Sequence, residues 1–261
     1  MKVLLCRPQN IDIAKEISLR AESSSVVLSE LIDEYENLKS VYEGLGVEVI
    51  EIAQDPICPG MIYAGDLGFA KNGKFILSKF KSTPRRKESK IIADLVKDLG
   101  YEVLIRKNRD YFEGNDLIEV DGNYFFGWGR RSSRKTQDYL EEIFGKQVTE
   151  FQIISSKYFH LLDCISPLDS HNVLYVPDVL SMIEQAKVCF HFSHPIVVEM
   201  KDAELFACGS MVIGKKILVN SKISKQLKTK IKGAGYTPIK VKFDEYTKLG
   251  AGIRTVSLLL D

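Results

Sequence analysis

Four stretches of the chain share one pattern: apolar residues at helical spacing, a glycine, then an alternating strand. They are EYENLKSVYEGLGVEVIEI (34–52), ESKIIADLVKDLGYEVLIR (88–106), TQDYLEEIFGKQVTEFQII (136–154) and SKQLKTKIKGAGYTPIKVKF (224–243). A helical stripe repeats about every 3.6 residues and a half-buried strand every two, so each stretch changes period at its glycine. Those glycines, Gly46, Gly100, Gly145 and Gly235, stand 54, 45 and 90 residues apart. The last interval is double the one before it, which places a fifth copy midway. PDVLSMIEQAKVCFHF (177–192) fits, with Pro177 at the helix start, Ala186-Lys187 in place of the glycine turn and CFHF as the strand.

Between these units lie pairs of apolar runs split by turn dipeptides. MIYAGDLGFA and KFILSKF flank Asn72-Gly73, LIEV and NYFFGW flank Asp121-Gly122, and SMVI and KILVN flank Gly214-Lys215. The fifth unit has no second strand after RTVSLLL, whereas the chain begins with an unattached one, KVLLCRP. The two ends are therefore expected to pair. The repeat predicts an α/β fold, a fivefold pseudosymmetric α/β propeller forming a single domain over residues 1–261. An open α/β sheet of similar units is the alternative.

Thirty-six Lys and Arg against 35 Asp and Glu leave a formal net charge of +1, so no field favours nucleic acid or an anionic membrane. Five scattered cysteines, mostly in apolar settings, read as reduced thiols of a cytoplasmic protein. No apolar run is long enough for a membrane span, and no phosphate-cradling glycine loop or metal motif implies a cofactor or a metal. CFHFSH (189–194) has metal-like spacing, but alternate facing along a strand would split its ligands. The lysines at 222, 225, 228, 230 and 232 read as the solvated face of a helix that buries Ile223, Leu227 and Ile231.

In a ring of this kind each unit offers its central loop and strand end to a shared ligand. Polar residues recur there: Asp66 in IYAGDLG, Glu113 and Asp116 in YFEGNDLIEV, His160 in KYFHLLDC and Thr255 in GIRTVS, each in or beside a first hairpin strand. Arg85 and Arg86 follow the first hairpin, and Arg130 and Arg131 the second. Carboxylates that grip a cation, a histidine that moves protons and a terminal nucleophile suit attack on a cationic carbon. A lone histidine in such a strand is also read as purely structural.

In order, the fragments PGMIYAGDLGF, KFKSTPRRKES, FEGNDLIEVDGNYFFGWGRRSS, YFHLLDCISPLD, ELFACGSMVIG and GAGIRTVSLLL resemble the guanidino-group-modifying enzymes across essentially the whole chain. That group includes dimethylarginine dimethylaminohydrolase, arginine deiminase and the amidinotransferases. The resemblance implies the pentein fold, an arginine-like small-molecule ligand and a cysteine thiolate that attacks the guanidinium carbon. It puts Asp66, Glu113 and Asp116 on guanidinium-holding acids, His160 on the proton shuttle, and Arg85 and Arg131 on the carboxylate-binding arginines, with Arg86 and Arg130 as alternative registers. Thr255 falls on the cysteine.

Three departures stand out. The family's Pro-Asp is Pro59-Gly60, removing a carboxylate, and its His-x-Asp is His160-Leu161-Leu162, removing another, although the dimethylaminohydrolase branch also lacks that one. A threonine hydroxyl is far less acidic than a thiol. The expectation is a guanidino-ligand protein, catalytically silent or altered. Two alternatives stay open. One is a working hydrolase or amidinotransferase, with Thr255 activated by His160 or with Cys164 or Cys208 as nucleophile. The other is a noncatalytic interaction scaffold, a use known for this fold in a ribosome anti-association factor. Oligomeric assembly is left open, and Arg20–Glu30 reads equally as a flap or a plain surface loop.

Overall fold

A computed structural model describes residues 1–10, 25–107 and 109–261, which form two compact units, one of residues 1–115 with 243–261 and one of residues 116–242. The proposed flap segment lies outside the described residues up to residue 24.

The first unit holds two sheets. Strand β1 (Lys2–Arg7) pairs in parallel with β2 (Glu48–Ala53) after helix α1 (Leu28–Gly44). Strands β3 (Gly68–Lys71) and β4 (Lys74–Leu77) form a hairpin, and helix α2 (Glu88–Asp98) returns the chain to β5 (Glu102–Leu104), parallel to β4. The second unit repeats that hairpin, helix and parallel strand three times. Its first copy is β6 (Leu117–Val120), β7 (Asn123–Gly129), α3 (Thr136–Phe144) and β8 (Val148–Ile153). A short helix α4 (Leu161–Cys164) then precedes β9 (Ile165–Pro167), β10 (Asn172–Tyr175), α5 (Met182–His191) and β11 (His194–Val197). After α6 (Met200–Ala203) come β12 (Met211–Ile213), β13 (Lys216–Asn220), α7 (Lys225–Gly233) and β14 (Thr237–Val241). The chain re-enters the first unit with α8 (Asp244–Lys248) and β15 (Ser257–Leu260), and β15 pairs antiparallel with β1, Lys2 opposite Leu260. The two ends of the chain thus share one sheet, and all five three-stranded sheets have the same order.

The turn chemistry explains the register. Asn72-Gly73 and Asp121-Gly122 both take positive φ (53° and 71°, 49° and 78°), the conformation that matches a two-residue hairpin to the twist of its strands. In the first unit Ile92, Ala93 and Val96 of α2 pack with Phe75, Leu4 and Leu258 in one apolar core. In the second, Leu227 and Ile231 of α7 join Ile217, Val219 and Phe151 in another, which leaves the lysine face of α7 outward.

One boundary differs from the sequence reading. CFHF is not a strand: α5 runs on to His191 and the strand is His194–Val197. Ala186 and Lys187 favour helix, and without a glycine nothing stops α5 there. Pro195 is accommodated because β11 is an edge strand. His191 packs edge-on against Phe125 (5.3 Å between centroids) and lies 3.3 Å from the Thr149 hydroxyl.

Candidate active site

Each first hairpin strand is entered through a tight turn, and the sequence-selected polar residues sit in those turns. Asp66 lies in a 3₁₀ turn (Ala64–Leu67) just before β3. Glu113 precedes another (Gly114–Asp116) that leads into β6, and Asp116 ends it. His160 precedes α4, which leads into β9. Cys208 sits in the turn Ala207–Gly209 ahead of β12. Thr255 lies in the turn before β15. The recurrence follows from the repeated module.

In the first unit Asp66, Glu113 and Arg85 come together, all at least 98% buried. One Asp66 oxygen accepts from Arg85 Nη1 at 2.6 Å, the other from Asn115 Nδ2 at 2.6 Å. Glu113 stands 3.8 Å from the same Nη1. The Glu88 carboxylate, fully buried, accepts from Arg85 Nε at 3.0 Å and pairs with Nη2 at 3.0 Å. Arg85 Nη2 also donates to the Gly60 carbonyl at 3.1 Å. Burial opposes the charge on Arg85, but Glu88, Asp66 and Glu113 outweigh it and hold the guanidinium above its usual pKa. Burial pushes the Glu88 carboxyl up to about 7 against the pull of Arg85.

Sequence reasoning missed Glu88. A Cβ built on Gly60 would lie 2.3 Å from Glu88 Oε1 and 2.7 Å from Arg85 Nε. The loss of an acid at 60 therefore does not empty that corner of carboxylate: Glu88, from the first turn of α2, fills it. Arg86, exposed, donates to the Lys81 carbonyl instead. Thr255 uses its hydroxyl to accept the Gly252 N–H at 3.1 Å, closing its own turn, and its carbonyl accepts from Gly65 N–H at 3.0 Å.

In the second unit both oxygens of Asp116 are engaged, one by the Leu161 N–H at 3.0 Å and one by the Ser132 hydroxyl at 2.6 Å. Asp116 thereby ties the start of β6 to the segment that carries His160. Gly127 leaves room for this, since a Cβ there would come within 2.7 Å of Leu161 Cβ. The second carboxylate expected to be lost is supplied one residue later: Asp163 lies 3.8 Å from His160 Nδ1 and accepts from the His160 N–H at 3.1 Å. An acid three residues after a helix-start residue is a capping-box spacing, a signal that HLLD carried all along. Arg130 and Arg131 lie 5.3 and 5.1 Å from the Phe159 ring centre. Cys164 and Cys208 are fully buried in the apolar core, and burial pushes both thiols well up, so neither is poised as a thiolate.

A family model described as N,N dimethylarginine dimethylhydrolase, eukaryotic, matches residues 8–256. The chain belongs to that dimethylarginine dimethylhydrolase family. Among curated relatives it is 24% identical over 225 residues to the N(G),N(G)-dimethylarginine dimethylaminohydrolase of Mycobacterium tuberculosis, covering 86% of this chain and 74% of that protein. It is 23% identical to the bifunctional arginine dihydrolase/ornithine cyclodeaminase ArgZ of Synechocystis, covering 99% of this chain and 37% of that longer protein.

Among solved structures, the N-terminal domain of ArgZ bound to product superposes with a TM-score of 0.92 at 21% identity, covering 98% of this chain and 96% of that one. The Pseudomonas aeruginosa dimethylarginine dimethylaminohydrolase in complex with citrulline gives 0.84 at 17%, covering 98% of both. The five like sheets and these superpositions make this dimethylhydrolase-family chain a pentein. Among its described residues no helix is long and apolar enough to cross a membrane.

Proposed function

We propose that this family member binds an arginine-like guanidino ligand and does not turn it over. The roles assigned are guanidinium recognition for Asp66 and Glu113, positioning for Asp116, proton transfer for His160 and carboxylate recognition for Arg131, within one functional domain. The observation that carries the silent-site reading is Thr255. Its hydroxyl spends its acceptor capacity on the Gly252 N–H at 3.1 Å, inside its own turn. An alcohol lacks the few per cent of anion that a thiol has at neutral pH. The buried cysteines Cys164 and Cys208, with pKa values pushed up, offer no replacement nucleophile.

The test is citrulline release from arginine and from methylated arginines by the protein and by Thr255→Cys. The unaltered protein is expected to show none above the uncatalysed background, and an enzyme-like rate would end this reading. Binding of arginine without turnover, followed calorimetrically, separates it from the interaction-scaffold alternative, for which no arginine binding is expected.

A further inference from the structure

The acids of the first unit already hold a guanidinium. Arg85 has Glu88 along its Nε and Nη2 edge, Asp66 on Nη1 and the Gly60 carbonyl on Nη2. Its Cζ lies 4.1 Å from the Phe80 ring centre, and the Tyr63 ring centre is 5.6 Å away. Carboxylates in the plane of the fork and aromatic faces beside it are the way proteins recognise a guanidinium as a ligand.

Two further features argue against an ordinary structural ion pair. Three carboxylates, Asp66, Glu88 and Glu113, surround one cation, and all are at least 98% buried. A structural pair needs one acid for one base; a surplus of buried acids calls for more positive charge than Arg85 brings. The second feature is Gly60. Any side chain there would collide with Glu88 Oε1 and Arg85 Nε, so the glycine and the inward arginine go together. Arg85 also hangs from a short surface turn, Thr83–Arg85, whose neighbours Thr83, Pro84, Arg86 and Lys87 are exposed. Withdrawing it need not disturb the apolar core.

We infer that Arg85 is the resident cation of a guanidinium seat formed by Asp66, Glu88 and Glu113, so that an external guanidino ligand binds there only by displacing it. The inference rests on the guanidino-ligand reading above and sets its specificity: the seat discriminates against weak guanidino ligands, because each must compete with a tethered one at high effective concentration.

The test uses methylguanidinium chloride on the full chain, with methylammonium chloride at equal ionic strength as control. Arg85→Met empties the seat, and Arg85→Met with Glu88→Gln empties it while removing one surplus acid, which keeps a folded variant in hand. Both variants are expected to show a saturable rise in Tm with methylguanidinium and none with methylammonium, and to bind the ion at least tenfold more tightly than the unaltered protein. A parallel arginine titration separates the two readings. Variants that take methylguanidinium while no form takes arginine would support the seat and sink the guanidino-ligand function. Unaltered protein that binds arginine or methylguanidinium as tightly as the variants would overturn the resident-cation inference and leave the function standing. Absence of a methylguanidinium-specific rise in both variants would overturn it too.

Discussion

The two units bury polar groups on opposite terms. The first buries charge: Asp66, Arg85, Glu88 and Glu113 lie against one another in the protein interior. The second buries neutral contacts, thiols against carbonyls and one aspartate, Asp116, whose oxygens receive a backbone N–H and a hydroxyl. The difference teaches that similar modules need not share a stabilising logic. A buried ion cluster contributes little net stability yet is costly to break, whereas a bonded carboxylate of the Asp116 kind contributes in proportion to the donors it satisfies.

The largest expected effect is on the ion cluster. Arg85→Ala leaves buried carboxylates uncompensated, and urea unfolding should show a loss of about 3–5 kcal/mol. A loss under about 1 kcal/mol would mean that the cluster is not a coupled unit.

Next comes its pH dependence. The Glu88 carboxyl is raised from an ordinary 4.5 to about 7, so it binds its proton more tightly folded than unfolded. Its contribution is therefore complete below about pH 4.5 and is lost as pH rises through about 7, a decline on the order of 3 kcal/mol. Glu88→Gln, which cannot ionise, should flatten that decline; equal slopes in the two proteins between pH 4.5 and 8 would contradict the assignment.

The smallest effect belongs to the second unit. Asp116→Ala strands the Leu161 N–H and the Ser132 hydroxyl, and should cost about 2 kcal/mol with no comparable pH dependence above 5. A loss as large as that of Arg85→Ala would erase the contrast between the units.

Much of this architecture was legible in the sequence. The period switch at Gly46, Gly100, Gly145 and Gly235 marks four helix-to-strand corners, and all four glycines take the positive φ that such a stop requires. The unpaired KVLLCRP and SLLL anticipated the β1–β15 pairing. The copy without a corner glycine was found but misframed, since periodicity alone does not say where a helix of good formers ends. In the candidate site, Asp66, Glu113, His160 and Thr255 were found by their recurring place ahead of hairpins. Glu88 and Asp163 were missed. Glu88 looks like any acid in a first helical turn, and its role depends on Gly60, 28 positions away in the chain.

Local order along the chain by itself determined the repeated module, the pairing of the two ends and the identity of the group at the nucleophile's position, because period, turn chemistry and side-chain acidity are properties of neighbours or of single residues. Which acids neutralise which base was decided only by the tertiary structure. Arg85 lies 19 residues from Asp66, 25 from Gly60 and 28 from Glu113, and electrostatic partnership falls off with distance in space, a quantity that sequence separation does not measure.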